Sequence, residues 1–326
     1  MNILRFLPPV ILSLGLVGCG QSSGPSVNAP PQAPAPAPAP VVKKDIGLVM
    51  KTLTNPFFVE MEKGARRAEK ELGINLTVKT AAQETSIEQQ IQLVEDLIAA
   101  KVNAIVIAPG DSQRLVPALK QAHDAGIRIV NIDNRLDPET VQQAGLAPVP
   151  FISVDNEAGA YKVGQFLAQG VSVPTEAAIL EGIRSADNAK QRAAGARRGL
   201  AANPNIKLVA SETANWKIDE AYTVTQQMFT KHPNIKLLFA SNDIMAIGAL
   251  KYLQESRHKG VKVAGFDALD EALAEIRSKR LAATVDQQAA EQGYQGIALA
   301  LRLAQGSTVP LVTLIDSRLI TATTLP

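Results

Sequence analysis

From residue 45 onward the chain alternates short runs of β-branched and other apolar residues with amphipathic stretches of helical period, and this alternation restricts the folds open to it. The apolar runs are IGLVM (46–50), INLTVKT (74–80), NAIVIA (103–108), IRIVNI (127–132) and FISV (151–154), with helices between the first four. The pattern repeats in AAILEG (177–182), IKLVASE (206–212), IKLLFA (235–240), VKVAGF (261–266) and AATV (282–285), separated by helices near 187–201, 217–231, 243–256 and 269–279. Strands that are apolar throughout suit parallel sheets covered by helices on both faces. Ten strands exceed one comfortable sheet, so the pattern predicts an α/β fold of two doubly wound parallel-sheet lobes. A last helix over about 288–303 and the strand-like LVTLI (311–315) cross back between them.

Ligands of open parallel sheets bind beyond the carboxyl ends of the strands, so the residues at those ends are informative. The first such segment is LTNPFFVE (53–60). Asn55 suits an N-cap and Pro56 the first helical turn, where its missing N–H costs nothing. Phe58, Met61, Ala65, Ala68 and Leu72 then recur every three or four residues as one buried stripe. Phe57 lies off that stripe, which leaves it to pack on a neighbouring loop or to stack on a ligand. Asp133 and Asn134 follow the fourth run, Asn242 and Asp243 follow IKLLFA, Asp267 follows VKVAGF, and Gln287 follows AATV. Trp216, the single tryptophan, stands in the polar loop TANWKID after IKLVASE. Asn and Asp also terminate strands and cap helices with no ligand present. Carboxylates and amides can nevertheless bridge adjacent hydroxyls while an aromatic face covers the C–H side of a sugar ring, so the set suits a polyhydroxylated ligand. In KQRAAGARR most charges fall on a solvated helix face, and Arg192 is the one expected to turn inward.

Other chemistries find little support. With 33 basic and 31 acidic residues the formal net charge is +2, so the whole-chain charge offers nothing for a nucleic acid. His123, His232 and His258 are scattered, and no metal site is expected. No G-x-S-x-G elbow and no G-x-x-x-x-G-K-[ST] phosphate loop occurs, and neither an enzyme activity nor a cofactor is expected.

The amino end carries an address. Arg5 precedes an apolar run from Phe6 to Val17, too short to span a bilayer comfortably and of the length of a secretory leader. The leader ends at LVGC, and Cys19 is the only cysteine, so no intramolecular disulfide can form. LVGC resembles a bacterial lipobox, which would make residues 1–18 a signal peptide and Cys19 the lipidated residue of the mature chain. An ordinary signal peptide with an incidental cysteine is the alternative. Residues 19–42 hold a Ser, Gly, Pro and Ala stretch with APAPAPAP at 33–40, a semi-rigid spacer that would hold a folded body off a membrane.

Taken together, LTNPFFVEMEKGARRAE, GIRIVNID, ISVDNEAGA, FASNDIMAIGAL, VKVAGFDA and LAATVDQ occur in an order that closely resembles the periplasmic sugar-binding proteins of the ribose-binding type. The resemblance covers about Asp45 to Ile320. It implies the type I periplasmic binding protein fold, with a first lobe of residues 43–154 and 288–313 and a second of 155–287 and 314–326. A three-segment hinge would lie near Ser153 to Asn156, near Val285 to Gln287 and after Thr313. It implies that Asn55, Phe57, Phe58, Asp133, Arg192, Trp216, Asn242, Asp267 and Gln287 contact a sugar held between aromatic rings. Ribose binders carry an arginine directly after the middle aspartate, where this chain has Asn134 and places Arg135 one residue later. Arg184 and Asp187 add polar groups near the second lobe. These departures, with Trp216 in place of a smaller ring, leave ribose, another pentose, fructose, another hexose or a sugar alcohol as candidates.

The implied protein is a monomeric, lipid-anchored binding protein on the extracytoplasmic face that delivers its sugar to the permease of an ABC importer. A chemoreceptor or sensor kinase would use the same loaded form. A LacI-type regulator shares the core but needs an amino-terminal helix-turn-helix, where this chain has a leader and a spacer.

Overall fold

The computed structural model describes residues 43–326; the leader, Cys19 and the Pro/Ala spacer lie outside the described residues. The first half runs β1 (Asp45–Met50), α1 (Pro56–Leu72), β2 (Asn75–Thr80), α2 (Ile87–Ala99), β3 (Ala104–Ile107), α3 (Val116–Asp124), β4 (Arg128–Ile132), α4 (Pro138–Gln143) and β5 (Phe151–Val154). The second half runs α5 (Asn156–Ala168), β6 (Thr175–Glu181), α6 (Asp187–Ala201), β7 (Ile206–Thr213), α7 (Ile218–Lys231), β8 (Ile235–Ala240), α8 (Asp243–Glu255), β9 (Lys262–Ala264), α9 (Asp270–Arg277) and β10 (Ala283–Asp286). The chain closes with α10 (Ala289–Ala304), β11 (Val312–Ile315) and β12 (Arg318–Thr321).

Two six-stranded sheets result, ordered β11-β5-β4-β3-β1-β2 and β12-β10-β9-β8-β6-β7. The first is parallel throughout. The second is parallel except for β12, which runs antiparallel to β10 with Val285 opposite Leu319. This is the two-lobed, doubly wound architecture that the alternating pattern predicts. The short helix α4 and the edge strand β12 are additions to it.

Period-two alternation within buried strands sorts side chains between the two helix layers. Ile46, Leu48 and Met50 of β1 join Met61, Ala65 and Ala68 of α1, while Val49 joins Val94 and Leu97 of α2 on the other face. Helices α1 and α10 cover the first face, and they approach closely because Gly64 faces the backbone of Ala290. A Cβ on Gly64 would fall 1.7 Å from the Ala290 carbonyl oxygen.

Helix α1 begins as its sequence dictates. Asn55 is extended at φ −96°, Asn55 Oδ1 accepts the Phe57 N–H at 3.0 Å, and Pro56 opens the first turn. Gly73, left-handed at φ +66°, ends the helix with its N–H on the Glu69 carbonyl. Phe57 is buried after all, edge-on to Phe58 with ring centroids 5.2 Å apart. It lies off the stripe because that stripe faces the helix's own sheet, whereas Phe57 points between the lobes.

The chain crosses between the sheets after β5, between β10 and α10, and between β11 and β12. The third crossing differs from the expectation of a break after Thr313. Leu314 and Ile315 continue the ladder beside Ser153 and Val154, so the chain stays with the first sheet until Asp316 and Ser317.

Candidate ligand site

Loops at the carboxyl ends of both sheets line a small cavity between the lobes. The first lobe contributes Lys51 and Asn55 after β1, Phe57 and Phe58 of α1, Glu84 after β2 and Asp133 after β4; the second contributes Asn188 and Arg192 of α6, Trp216, Asn242, Asp267 and Gln287. Nine of the ten ligand-contact residues expected from the sequence therefore converge on one space.

Arg192 organises the second lobe's wall. Its guanidinium is buried and donates to Asn156 Oδ1 at 2.8 Å, the Ser241 carbonyl at 2.9 Å, Gln287 Oε1 at 2.9 Å and Asp267 Oδ1 at 3.4 Å. Its plane stands over the Phe266 ring, 4.0 Å from the centroid. Gln287 Nε2 in turn donates to Asp267 Oδ1 at 2.5 Å. Burial pushes the Asp267 carboxyl well above its ordinary range, against the pull of Arg192, and burial likewise lowers Arg192. Each charge is thus costly to hold in this wall without the other.

The first lobe's wall rests on Lys51, whose Nζ lies 2.8 Å from Asp133 Oδ2 and 3.8 Å from Glu84 Oε2. Burial raises the Glu84 carboxyl, with Lys51 opposing the shift. Glu84 Oε1 accepts Asn55 Nδ2 at 3.0 Å, so Asn55 caps α1 with one end of its amide and braces Glu84 with the other. Asp133 sits in the left-handed region at φ +63°. That turn is held by the Asp133 N–H on the Ile152 carbonyl at 3.1 Å and by Ser153 Oγ donating to the Asp133 carbonyl at 2.8 Å.

Trp216 reaches the cavity through two consecutive left-handed residues, Asn215 at φ +49° and Trp216 at φ +67°. The indole lies against Gly182, where any side chain would collide: a Cβ there would stand 2.0 Å from Trp216 Cζ2. Aromatic surface therefore enters from both lobes, Phe57 and Phe58 on one side and Trp216 on the other. Asn242 caps α8 through Oδ1, which accepts the Met245 N–H at 2.9 Å, and its Nδ2 has no hydrogen-bond partner among the described residues.

Asn134 is the exception. It is fully buried but does not line the cavity. Because Asp133 takes up the turn, the next side chain points away from the cavity, and Asn134 Nδ2 donates to the Pro109 carbonyl at 3.0 Å and to Ser112 Oγ at 3.3 Å. Arg135 stacks 5.5 Å over the Phe151 ring, and Arg184 pairs with Glu181 at 2.7 Å on the surface. Asp187 accepts Gln191 Nε2 at 2.6 Å, and none of these three lines the cavity. Three lining residues, Lys51, Glu84 and Asn188, were absent from the sequence reading. Lys51 stands directly after β1, where the strand-end rule would have found it, and Glu84 lies in the loop four residues beyond β2. Among the described residues no group of three or more His, Cys, Asp and Glu could hold a metal, and no helix is long and apolar enough to cross a membrane.

A sequence model of the periplasmic binding protein domain matches residues 46–308. The chain belongs to the periplasmic binding protein family. This periplasmic binding protein is 42% identical to the D-ribose/D-allose-binding protein of Pseudomonas aeruginosa, over 82% of this chain and 84% of that one. It is 32% identical to the D-allose-binding periplasmic protein of Escherichia coli, over 85% of this chain and 92% of that one. A crystal structure of an ABC transporter periplasmic solute binding protein from Actinobacillus succinogenes with bound D-allose superimposes with a TM-score of 0.82 at 38% identity, covering 86% of this chain and 99% of that one. The resemblance to ribose-type sugar binders read from six motifs is thereby shown, as is the type I fold. Members of this family are binding proteins, not enzymes.

Proposed function

We propose that this periplasmic binding protein captures a monosaccharide between its lobes and delivers it to the permease of an ABC-type importer. One observation carries the reading: a single cavity is walled by aromatic rings from both lobes and by the buried charges Lys51, Asp133, Arg192 and Asp267. Carboxylates flanked by cations accept hydrogen bonds from vicinal hydroxyls, while Phe57, Phe58 and Trp216 cover the apolar C–H faces of a ring.

D-Allose and D-ribose head the candidates, because relatives at 42% and 32% identity are named for those sugars. The three interlobe crossings serve as the hinge about which the lobes close, with the first lobe formed by 43–154 and 288–315. Cys19, acylated after removal of the leader, anchors the monomer to the extracytoplasmic face of a membrane, and the spacer at 19–42 gives it reach.

Thermal unfolding against pentoses, hexoses and polyols tests the proposal. A sugar at 100 times its dissociation constant adds about 2.7 kcal/mol, which raises the melting temperature by several degrees. A shift with D-allose or D-ribose supports the reading. No shift with any sugar, before or after refolding from denaturant to strip bound ligand, refutes it.

A further inference from the structure

Helix α6 starts without a capping side chain of its own, since its N-cap residue is Ala186. Its first N–H groups find partners on the opposite lobe instead. The Asp187 N–H donates to Ser112 Oγ at 2.9 Å and the Asn188 N–H to Asn134 Oδ1 at 3.1 Å. The Ser112 N–H adds a third link, to the Ser185 carbonyl at 3.3 Å. Unpaired N–H groups at a helix start are costly when buried, so the first lobe supplies the cap that the second lobe lacks. This gives Asn134 a use: it docks the lobes where the sequence reading had it touching a ligand.

Asn188 sits on this junction and also faces the cavity. The residue is 3% exposed, and its Nδ2 donates across the lobes to Asp133 Oδ1 at 3.4 Å. Facing a carboxylate, the amide must present its NH₂ end, which turns Oδ1 the other way. Asn188 Oδ1 is buried with no hydrogen-bond partner among the described residues. A buried acceptor left unpaired costs free energy, which a donor in the cavity would recover.

Building on the proposed sugar capture, we infer that Asn188 is a specificity-determining residue: its Oδ1 accepts a hydrogen bond from one ligand hydroxyl, at a position fixed by the Ser112–Asn134 cap. The same residue then links ligand reading to lobe contact. A sugar lacking that hydroxyl leaves Oδ1 unsatisfied in the closed form and is discriminated against.

Titration calorimetry of the full chain with D-allose, D-ribose and their monodeoxy analogues tests this, using wild type, Asn188→Ala and Asn134→Ala. Alanine is a good helix former, so Asn188→Ala preserves the first turn of α6, and Asn188→Ser provides a second, shorter side chain. Asn188→Ala should weaken the tighter-binding parent sugar about tenfold, with one deoxy analogue bound equally by wild type and variant. Asn188→Ser should show the same selectivity with a smaller loss. Asn134→Ala should weaken the parent and all analogues by a common factor. Equal weakening of every analogue by Asn188→Ala, or undiminished binding of the parent, overturns the inference while leaving sugar capture intact. Wild type that binds none of the sugars overturns both.

Discussion

Asp267 is the residue at which stability and binding can be separated. It holds φ +131°, a region that L residues rarely adopt, and Ala268 follows at φ +57°. Its carboxylate is the only ion-pair partner of Arg192 among the described residues. Replacing Asp267 by alanine removes that partner and keeps the backbone strain, leaving the guanidinium buried with neutral acceptors at a cost of about 3–5 kcal/mol. Glycine removes the same carboxylate but relieves about 1–3 kcal/mol of strain, less about 0.5–1 kcal/mol for its freer unfolded chain. Asp267→Gly should therefore unfold at higher urea than Asp267→Ala, by about 1–2 kcal/mol on linear extrapolation. Both variants should lose about 100-fold or more in affinity for the sugar that stabilises wild type, since both leave ligand hydroxyls and Arg192 unpaired. An alanine variant as stable as the glycine variant refutes the strain argument. Calorimetric affinity within a few-fold of wild type refutes the place of Asp267 in the site.

Two further outcomes follow from the geometry. Gly182→Ala forces the indole of Trp216 from its place; because the chain has a single tryptophan, its emission should shift and sugar affinity should fall about tenfold or more. An unchanged emission spectrum would count against the contact. Asp243 is fully buried, and burial pushes its carboxyl up to about 6, although Oδ1 accepts Thr284 Oγ1 at 2.7 Å and Oδ2 the Leu269 N–H at 2.9 Å. A folded-state value above the unfolded one means the native state binds the proton more tightly, so this stabilisation is complete below about pH 4 and is lost as pH rises through about 6. The melting temperature should fall between pH 5 and pH 7 in wild type and fall less in Asp243→Asn. Identical profiles would show the carboxyl ionised throughout.

The strands were legible because buried parallel strands must be apolar at every position, and α6 was read at its observed bounds of 187–201. Strand ends then pointed to the cavity with no knowledge of its shape. What stayed hidden depends on backbone direction and on the opposite lobe. The left-handed turn at Asp133 decides that Asn134 faces away, and nothing in the local pattern signals it. The role of Asn188 exists only where α6 meets Ser112 and Asn134 from the other lobe. Phe57 defied its helix's periodicity for the same reason. Strand β12, four residues paired antiparallel to β10, is too short and too mixed to stand out from a chain terminus.

The third crossing also shapes how the protein is made. Helix α10 and strand β11 complete the first sheet's layer and edge, and β12 completes the second, so residues 289–321 finish both lobes. A nascent chain leaving the ribosome amino end first has five strands of the first sheet by residue 154, yet must wait until about residue 315 to cover the face beneath α10 and pair the outer edge of β5. Closing a loop that long delays the native contacts on which the lobe depends. Neither lobe can therefore lock until β11 and β12 have been made and have returned to their sheets.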